Sequence, residues 1–340
     1  MRDINVLITA ASRRVSLVRN FRVAVKEYKG KVITVDYNTE SPALYFGHNH
    51  YTVPLVSSPD YLDSIERICK KEKIKLIIPT IDDELRLWAK NKKRFEDQGI
   101  SVSISDSESI DICNDKWKTY LFFKKNNIPF PESYLPEQTS SQMKFPLFIK
   151  PREGRGSIKT FKIENKEELF FFRKYVKEPI IQRYLYGKEF TVDIFYSKDS
   201  KLISIVPRYR LVIRSGISDR GLTFENKELT DLILKISKKF KFQGAINIQG
   251  KIDKGKITFF EINPRFSGGI QLTTAAGPNF STFLINELLG KEVKPQIGNF
   301  EKDLLMTSYE DSLFINSKGK VTFFFFDNID ILPKSKFKKL

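Results

Sequence analysis

The stretch that most constrains this chain is residues 244–269, GAINIQGKIDKGKITFFEINPRFSGG. Ala245 to Ile252 and Lys256 to Ile262 are short runs of alternating or apolar character. Asp253-Lys254-Gly255 between them supplies residues able to take positive φ, so the pattern predicts a β-hairpin. Polar residues interrupt both strands: Gln249 on the first, Glu261 and Asn263 on the second, with Arg265 just past Pro264. Because side chains alternate across a strand, Glu261 and Asn263 point to one face, and a facing Gln249 would join them around one centre. Three oxygen donors beside an arginine suit Mg2+ and phosphate. Mg2+ takes hard oxygen ligands and is usually shared with substrate phosphates, while arginine forks onto phosphoryl oxygens. Taken alone, the stretch also reads as a solvated hairpin face with a chance Glu and Asn.

Composition narrows the partners. A length of 340 residues allows two or three packed units, and a hydrophobic fraction of 41% is that of an ordinary globular protein rather than a disordered one. The net charge of +17 raises nucleic acid, membrane and anionic substrate as partners. The basic residues are spread along the chain without a long run or an RNA-binding signature. The charge therefore reads as solvated surface, and no nucleic-acid partner is expected. The two cysteines, Cys69 and Cys113, make neither a close-spaced metal pattern nor a disulfide framework, which fits a reducing cytoplasm. His48 and His50 read as a loop pair rather than a metal site. The apolar run Ile4 to Ala11 is too short for a secretory core, and its charges fall on the wrong side. No run reaches the length of a membrane span, the Phe-rich Val321 to Phe326 included.

Residues 1 to about 110 alternate strand and helix: strands at Asn5 to Thr9, Lys31 to Asp36 and Leu76 to Pro79, helices at Val15 to Tyr28 and Pro59 to Lys71. That alternation predicts a parallel α/β sheet of Rossmann type. The glycine fingerprint of a dinucleotide site is missing. Thr9-Ala10-Ala11-Ser12-Arg13-Arg14 stands in its place, so no nicotinamide cofactor is expected. Asp36 could hold a ligand hydroxyl or cap the following turn. Asp82, Asp83 and Glu84 follow the strand LIIPT, where open α/β sheets bind ligands, but they also suit the N-terminus of a helix over Asp83 to Asn91.

A second region begins near Cys113, with a helix over Asp115 to Asn127 carrying Lys116 and a Pro-rich connector to Pro136. Phe145 to Lys150 reads as a strand. The loop Gly154-Arg155-Gly156-Ser157 follows, then a strand from Ile158 to Ile163. Glycine-loop N–H groups approach phosphate oxygens closely, and Lys150 adds a point charge, yet the loop equally describes a hairpin turn and is not a Walker A motif. Ile180 to Gln182 and Glu189 to Tyr196 are strands joined by a crossing segment that can offer its main chain to a flat base, with Glu189 placed for ribose hydroxyls. Arg208, Arg210 and Arg214 gather near Ser215-Gly216-Ile217-Ser218, as ligand contacts or as a basic edge strand.

In order, Lys116, FIKP ending near Lys150, the GRGS loop, QRYLYGKEFTVD and N-I-Q … FFEINPRFSGG resemble the ATP-grasp superfamily, closest to the branch built like the carbamoyl-phosphate synthase large subunit and single-chain carboxylate–amine ligases. The resemblance implies an α/β fold with an N-terminal Rossmann-like domain at 1–112. An ATP-grasp pair of α+β subdomains would follow, a small lid subdomain at 113–185 and a C-terminal subdomain with the metal site at 186–340. It also implies ATP and Mg2+ as cofactors. Lys116 and Lys150 match the residues on the ATP phosphates, Gly154, Gly156 and Ser157 the mobile cover, and Gln182, Arg183, Tyr184 and Leu185 the hinge whose backbone reads adenine. Glu189 matches the ribose acid, Gln249, Glu261 and Asn263 the Mg2+ ligands, and Arg265 the arginine on the transferred phosphoryl group. Lys150, Arg210 and Arg265 are the residues expected to serve catalysis. The implied activity is an ATP-dependent carboxylate–amine ligase working through an acyl phosphate on small-molecule substrates, possible amino acids among them, with a homodimer left open. A carbamoyl-phosphate-synthase-like enzyme and a non-catalytic ATP-binding module are the alternatives. The sequence departs from the pattern at Arg183, where an acidic residue is frequent, and at Met306-Thr307-Ser308-Tyr309, where related ligases often show an arginine before the tyrosine. The second departure bears on the substrate.

Overall fold

The apolar runs of the N-terminal third assemble into a parallel sheet of β1 (Asn5–Ile8), β2 (Val32–Asp36), β3 (Asn49–Thr52), β4 (Ile74–Ile78) and β5 (Ser101–Val102), in the order β3-β2-β1-β4-β5. Parallel neighbours need crossovers, supplied chiefly by helices α1 (Val15–Val25), α2 (Tyr61–Lys71) and α3 (Asp82–Glu96). In α1, Leu17, Val18, Phe21, Ala24 and Val25 recur at helical spacing and are all buried. The computed structural model describes residues 3–140, 142–316 and 321–323, in two units, Met1–Thr307 and Ser308–Leu340.

Helices α4 (Ser107–Asn114) and α5 (Lys116–Lys125) lead to a four-stranded antiparallel sheet. Its strands β6 (Ser133–Tyr134), β7 (Leu147–Pro151), β8 (Phe161–Ile163) and β9 (Pro179–Arg183) lie in the order β6-β9-β7-β8. Helix α6 (Lys166–Tyr175) closes a small core there, with Leu169 against Leu147, Ile149 and Ile163. The strand expected from Ile158 is shorter. Ser157 and Lys159 take φ of 57° and 54°, a left-handed backbone that cannot extend a strand, so β8 starts at Phe161 and the loop before it is wider than four residues.

The second half is a six-stranded antiparallel sheet, β14-β13-β10-β11-β12-β15, built from β10 (Lys188–Tyr196), β11 (Leu202–Arg214), β12 (Ile217–Thr223), β13 (Gly244–Asp253), β14 (Lys256–Asn263) and β15 (Leu305–Thr307). On one face Phe123 of α5 and Leu229, Ile233 and Ile236 of α7 (Lys227–Ser237) join Val192, Ile194 and Ile248 in one core. The other core joins Phe195 and Ala245 to Phe280, Phe283 and Ile285 of α9 (Phe280–Leu288), Ile270 of α8 (Ile270–Ala275) and Leu17 and Phe21 of α1. Through α1 the parallel sheet and the six-stranded sheet share one hydrophobic core, which fixes the loops after β1 and β4 beside the β13–β14 hairpin. In the second unit β16 (Leu313–Ile315) and β17 (Val321–Phe323) pair antiparallel. Residues 324–340, where the C-terminal subdomain and the Phe-rich run were expected to end, lie outside the described residues.

Candidate active site

The β13–β14 hairpin turns at Lys254 and Gly255, with φ of 48° and 83°, the positive pair a two-residue hairpin turn requires. Gln249 stands opposite Glu261 and Asn247 opposite Asn263, so these four polar side chains share one face of the hairpin. After Gln249 the register shifts and Gly250 pairs with Phe259, leaving Phe260 as a bulge. A Cβ on Gly250 would lie 2.5 Å from the Phe190 ring, so only glycine fits there. The carbonyl of the bulged Phe260 accepts from Lys150 Nζ at 3.3 Å, which brings β7 over the hairpin.

All of the sequence-predicted site residues line a single cavity of about 260 Å3 between the four-stranded sheet and the hairpin. Lys116 opens α5, where Asp115 caps the helix and pairs with Arg152 at the end of β7; Lys116 N–H donates to Arg152 O at 3.0 Å. Lys116 Nζ lies 3.5 Å from Glu261 Oε1 and donates to Gly154 O at 2.9 Å. Asn263 Nδ2 donates to Glu261 Oε2 at 3.3 Å. Gln182, Arg183, Tyr184 and Leu185 form the cavity's far wall; the Gln182 amide donates to Ser133 Oγ at 2.8 Å, and Leu185 O accepts from Lys251 Nζ at 3.0 Å. Glu189, at the head of β10, accepts from Arg210 Nη1 at 2.6 Å, and the same nitrogen donates to Gln249 Oε1 at 3.1 Å. Gly154, Gly156 and Ser157 cover the cavity with φ of 122°, 71° and 57°. Gly156 is met by Gly216 at the β11–β12 turn, where an added Cβ would lie 3.1 Å from Gly156 Cα.

Burial sets the charge of these groups. It pulls the Lys150 ammonium down to about 8; Glu261 opposes that, and Lys116 adds to it. Arg210 is lowered by burial, with Glu189 opposing. Burial pushes Asp82 up, but the charge and hydrogen bonds of Arg265 outweigh it and hold the carboxyl below the usual range. The oxygen set of Gln249, Glu261 and Asn263 carries one carboxylate. Among the described residues, no group of three His, Cys, Asp or Glu side chains could hold a metal ion. One carboxylate and two amide oxygens suit Mg2+ that draws further ligands from phosphates and water, and would leave a bare ion under-coordinated.

The acidic triplet after β4 divides its labour. Glu84, fully buried and raised in pKa by that burial, accepts from Thr80 N–H at 2.7 Å and Ile81 N–H at 3.2 Å, closing the N-terminus of α3. Asp82 accepts a forked pair from Arg265 at 3.0 and 2.6 Å, and Asp83 pairs with Arg155 at 3.1 Å. Asp36 accepts from Ser12 and Asn38 N–H groups, which is the turn-capping reading. His48 Nδ1 accepts from Val32 N–H at 2.9 Å. Sequence reasoning missed Asn247, which alternation along β13 would have found; Lys251, which carries no signal of its own; and Arg14, which reaches the site only through the fold.

Residues 6–103 match the family described as PylC-like, N-terminal domain, and residues 176–312 the family described as ATP-grasp in the biosynthetic pathway with Ter operon. The chain is 25% identical over 296 residues to a carbamoyl phosphate synthase large chain of Caldanaerobacter subterraneus subsp. tengcongensis, covering 80% of this chain and 27% of that one. It spans about a quarter of the length of such relatives. Among solved structures it is similar to N5-carboxyaminoimidazole synthetase from Staphylococcus aureus complexed with ADP, with a TM-score of 0.70 at 14% identity over 87% of this chain and 80% of that one. It is also similar to the L-amino acid ligase from Bacillus licheniformis, with a TM-score of 0.66 at 17% identity over 87% and 78%. The chain thus carries an ATP-grasp domain behind a PylC-like N-terminal domain and is homologous to the carbamoyl phosphate synthase large chain.

Proposed function

We propose that this protein is a cytoplasmic, ADP-forming carboxylate–amine ligase that uses ATP and Mg2+ to join a small-molecule acid and an amine through an acyl phosphate. The observation that carries the reading is the convergence of Lys116, Lys150, the glycine loop, the 182–185 segment, Glu189, the oxygen set and Arg265 on one cavity. Among the described residues no helix is long and apolar enough to cross a membrane.

In this reading the 182–185 main chain and Glu189 hold adenosine, and Lys116 and Lys150 hold the phosphates. Gln249, Glu261 and Asn263 would hold Mg2+, which supplies charge to offset that on the phosphates. Arg265, locked by Asp82, presents its guanidinium to the phosphoryl group as charge spreads over its oxygens. The acid's carboxylate oxygen forms a bond to the γ-phosphorus as the bond to the β-phosphate oxygen breaks, giving the acyl phosphate and ADP. The amine then attacks the acyl carbon, loses a proton and expels phosphate. Water would hydrolyse the acyl phosphate, so the glycine loop over the cavity matters for coupling.

The test is ATP-dependent phosphate release over paired acids and amines, with product masses measured. One ADP and one phosphate per amide are expected. Tight Mg-ATP binding with no ADP from any pairing would leave a non-catalytic nucleotide module instead, and bicarbonate-dependent phosphate release would favour carbamoyl-phosphate-type chemistry.

A further inference from the structure

A second cavity, of about 150 Å3, opens beside the first and shares Arg155, Gly156, Arg210, Gly216, Gln249 and Arg265 with it. Among the described residues its lining holds six arginines and no Asp or Glu side chain. Four of the six guanidinium groups are neutralised from behind: Arg155 by Asp83 at 3.1 Å, Arg208 by Asp193 at 2.8 Å, Arg210 by Glu189 at 2.6 Å and Arg265 by Asp82 at 2.6 Å. Arg13 and Arg14 pair with no carboxylate among the described residues.

These two lie in the loop after β1, whose backbone is held in an unusual shape by Ala10 and Ser12 at φ of 45° and 47°. Arg14 Nη2 donates to Thr80 O at 2.6 Å, and Nη1 to Phe266 O at 3.0 Å and Ser267 O at 3.2 Å. It thereby bridges the carboxyl ends of β1 and β4 and the loop after β14. Strands β2 and β4 flank β1 on opposite sides, so this is the point of the parallel sheet where strand order reverses and where such sheets take ligands. Burial draws the Arg14 guanidinium down to about 9, with Arg265 adding to the effect and the more distant Asp82 and Glu84 carboxylates opposing it. Arg13 is exposed, its side chain open to a ligand.

Resting on the ligase reading, we propose that the acid substrate carries a second anionic group, carboxylate or phosphate, and that Arg13 and Arg14 bind it while the reacting carboxylate lies toward Arg210 and Arg265. A monocarboxylic acid would leave the exposed Arg13 guanidinium without an anionic partner and Arg14 with only its carbonyl acceptors. A group of that charge at a loop with two unpaired guanidinium groups is held by charge-assisted forked hydrogen bonds.

The test is calorimetric titration of the full chain, with and without Mg2+ and a non-hydrolysable ATP analogue, using butyrate, succinate and 3-phosphonopropionate. Succinate and the phosphonate are expected to bind at least 10-fold tighter than butyrate. Arg13→Gln is expected to remove most of that preference while changing butyrate binding less than about twofold. Which dianion binds tighter identifies the second group as carboxylate or phosphate. Arg14→Gln is a second variant; because Arg14 also clips three carbonyls, the exposed Arg13 keeps the test decisive if that variant fails to fold. Equal binding of all three acids, no binding of any, or a uniform loss in Arg13→Gln would overturn the proposal. Amide formation is a separate readout: a dianion preference without turnover on any pairing sinks the ligase reading and leaves the anion site standing, whereas turnover without the preference does the reverse.

Discussion

Lys150 offers the sharpest test of how the site is built, because one substitution should strengthen the fold and abolish the reaction. Its side chain is only 6% exposed, and burial takes its ammonium from the ordinary 10.5 to about 8. At 1.36 kcal/mol per tenfold change in proton affinity, keeping that charge costs the folded state about 3 kcal/mol. A folded pKa below the unfolded one means the unfolded chain binds the extra proton between pH 8 and 10.5. Stability therefore rises with pH across that window, and the cost is fully present below about pH 8. Lys150→Met keeps the length of the stem and removes the charge. We expect the variant to be more stable than the parent by about 3 kcal/mol near pH 7, with the pH-dependent part of the gain fading toward pH 10.5. Urea unfolding of both proteins in parallel from pH 6 to 10.5 measures it, since the titration of every other lysine cancels in the difference. Phosphate release should meanwhile fall by about 100-fold or more, the scale of losing a preorganised positive group from a transition state. A variant less stable at pH 7, or a gain independent of pH, would show that the hydrogen bond to Phe260 O and the attraction of the Glu261 charge outweigh burial, and the reasoning would fail.

Glu261→Gln should keep the fold and lose most turnover, because a neutral amide offsets less cation charge in a set with a single carboxylate; wild-type kcat would remove Glu261 from the metal site. Asp82→Asn strips the half-buried Arg265 of its carboxylate and should cost about 2 to 3 kcal/mol near neutral pH. As Asp82 is held below the usual carboxyl range, that difference should be fully present above about pH 4 and narrow as pH falls through the folded pKa; thermal unfolding of both proteins followed from pH 7 down into the acid range tests it, and a gap that does not narrow at all argues against the pair. Gly216→Ala forces a Cβ to within 3.1 Å of Gly156 Cα at a φ of +76°, so it should push the glycine loop off the cavity, raise ATP hydrolysis relative to amide formed, and lower amide-exchange protection over residues 153–158 with Mg-ATP bound. Unchanged coupling and exchange would mean the loop is a plain turn.

The hairpin at the centre was legible because its information is local. Period-two patterning and a D-K-G turn define two strands, and alternation alone puts Glu261 and Asn263 on one face with Gln249 opposite. The bulge at Phe260 was not legible: nothing in TFFEIN marks which aromatic is the extra one until Gly250 meets the Phe190 ring. The same limit applied to the loop before β8. Gly154 and Gly156 announced a flexible cover, but Ser157 and Lys159 adopt left-handed angles without being glycine, so the strand after it could not be placed from propensity. Partner choice was the other blind spot. Arg265 and Asp82 lie 183 residues apart, and Arg14 meets Phe266 across 252. A helix-capping explanation was available for all three acids after β4, and only the folded chain separates Glu84, which caps, from Asp82, which aims an arginine.

The two ends of the site use their cations differently, and the difference follows from side-chain chemistry. At the end under the glycine loop, where the ligase reading puts the nucleotide, Lys116 and Lys150 donate to the backbone carbonyls of Gly154 and Phe260, with one carboxylate 3.5 Å from Lys116. An ammonium is a compact charge on a flexible stem, able to follow phosphates that shift as one is transferred. Toward the second cavity the charges are guanidinium groups, and three of them, Arg208, Arg210 and Arg265, are fixed in orientation by a carboxylate from β10 or the start of α3. A planar fork held from behind loses little freedom when it meets a second anion, so it can hold a carboxylate at a set angle to the phosphate. Arg210 belongs to both ends, because Glu189 holds it and both cavities are lined by it. In the ligase reading, a ribose hydroxyl that shared the Glu189 carboxylate with Arg210 would leave the guanidinium held in place while linking the two cavities through it.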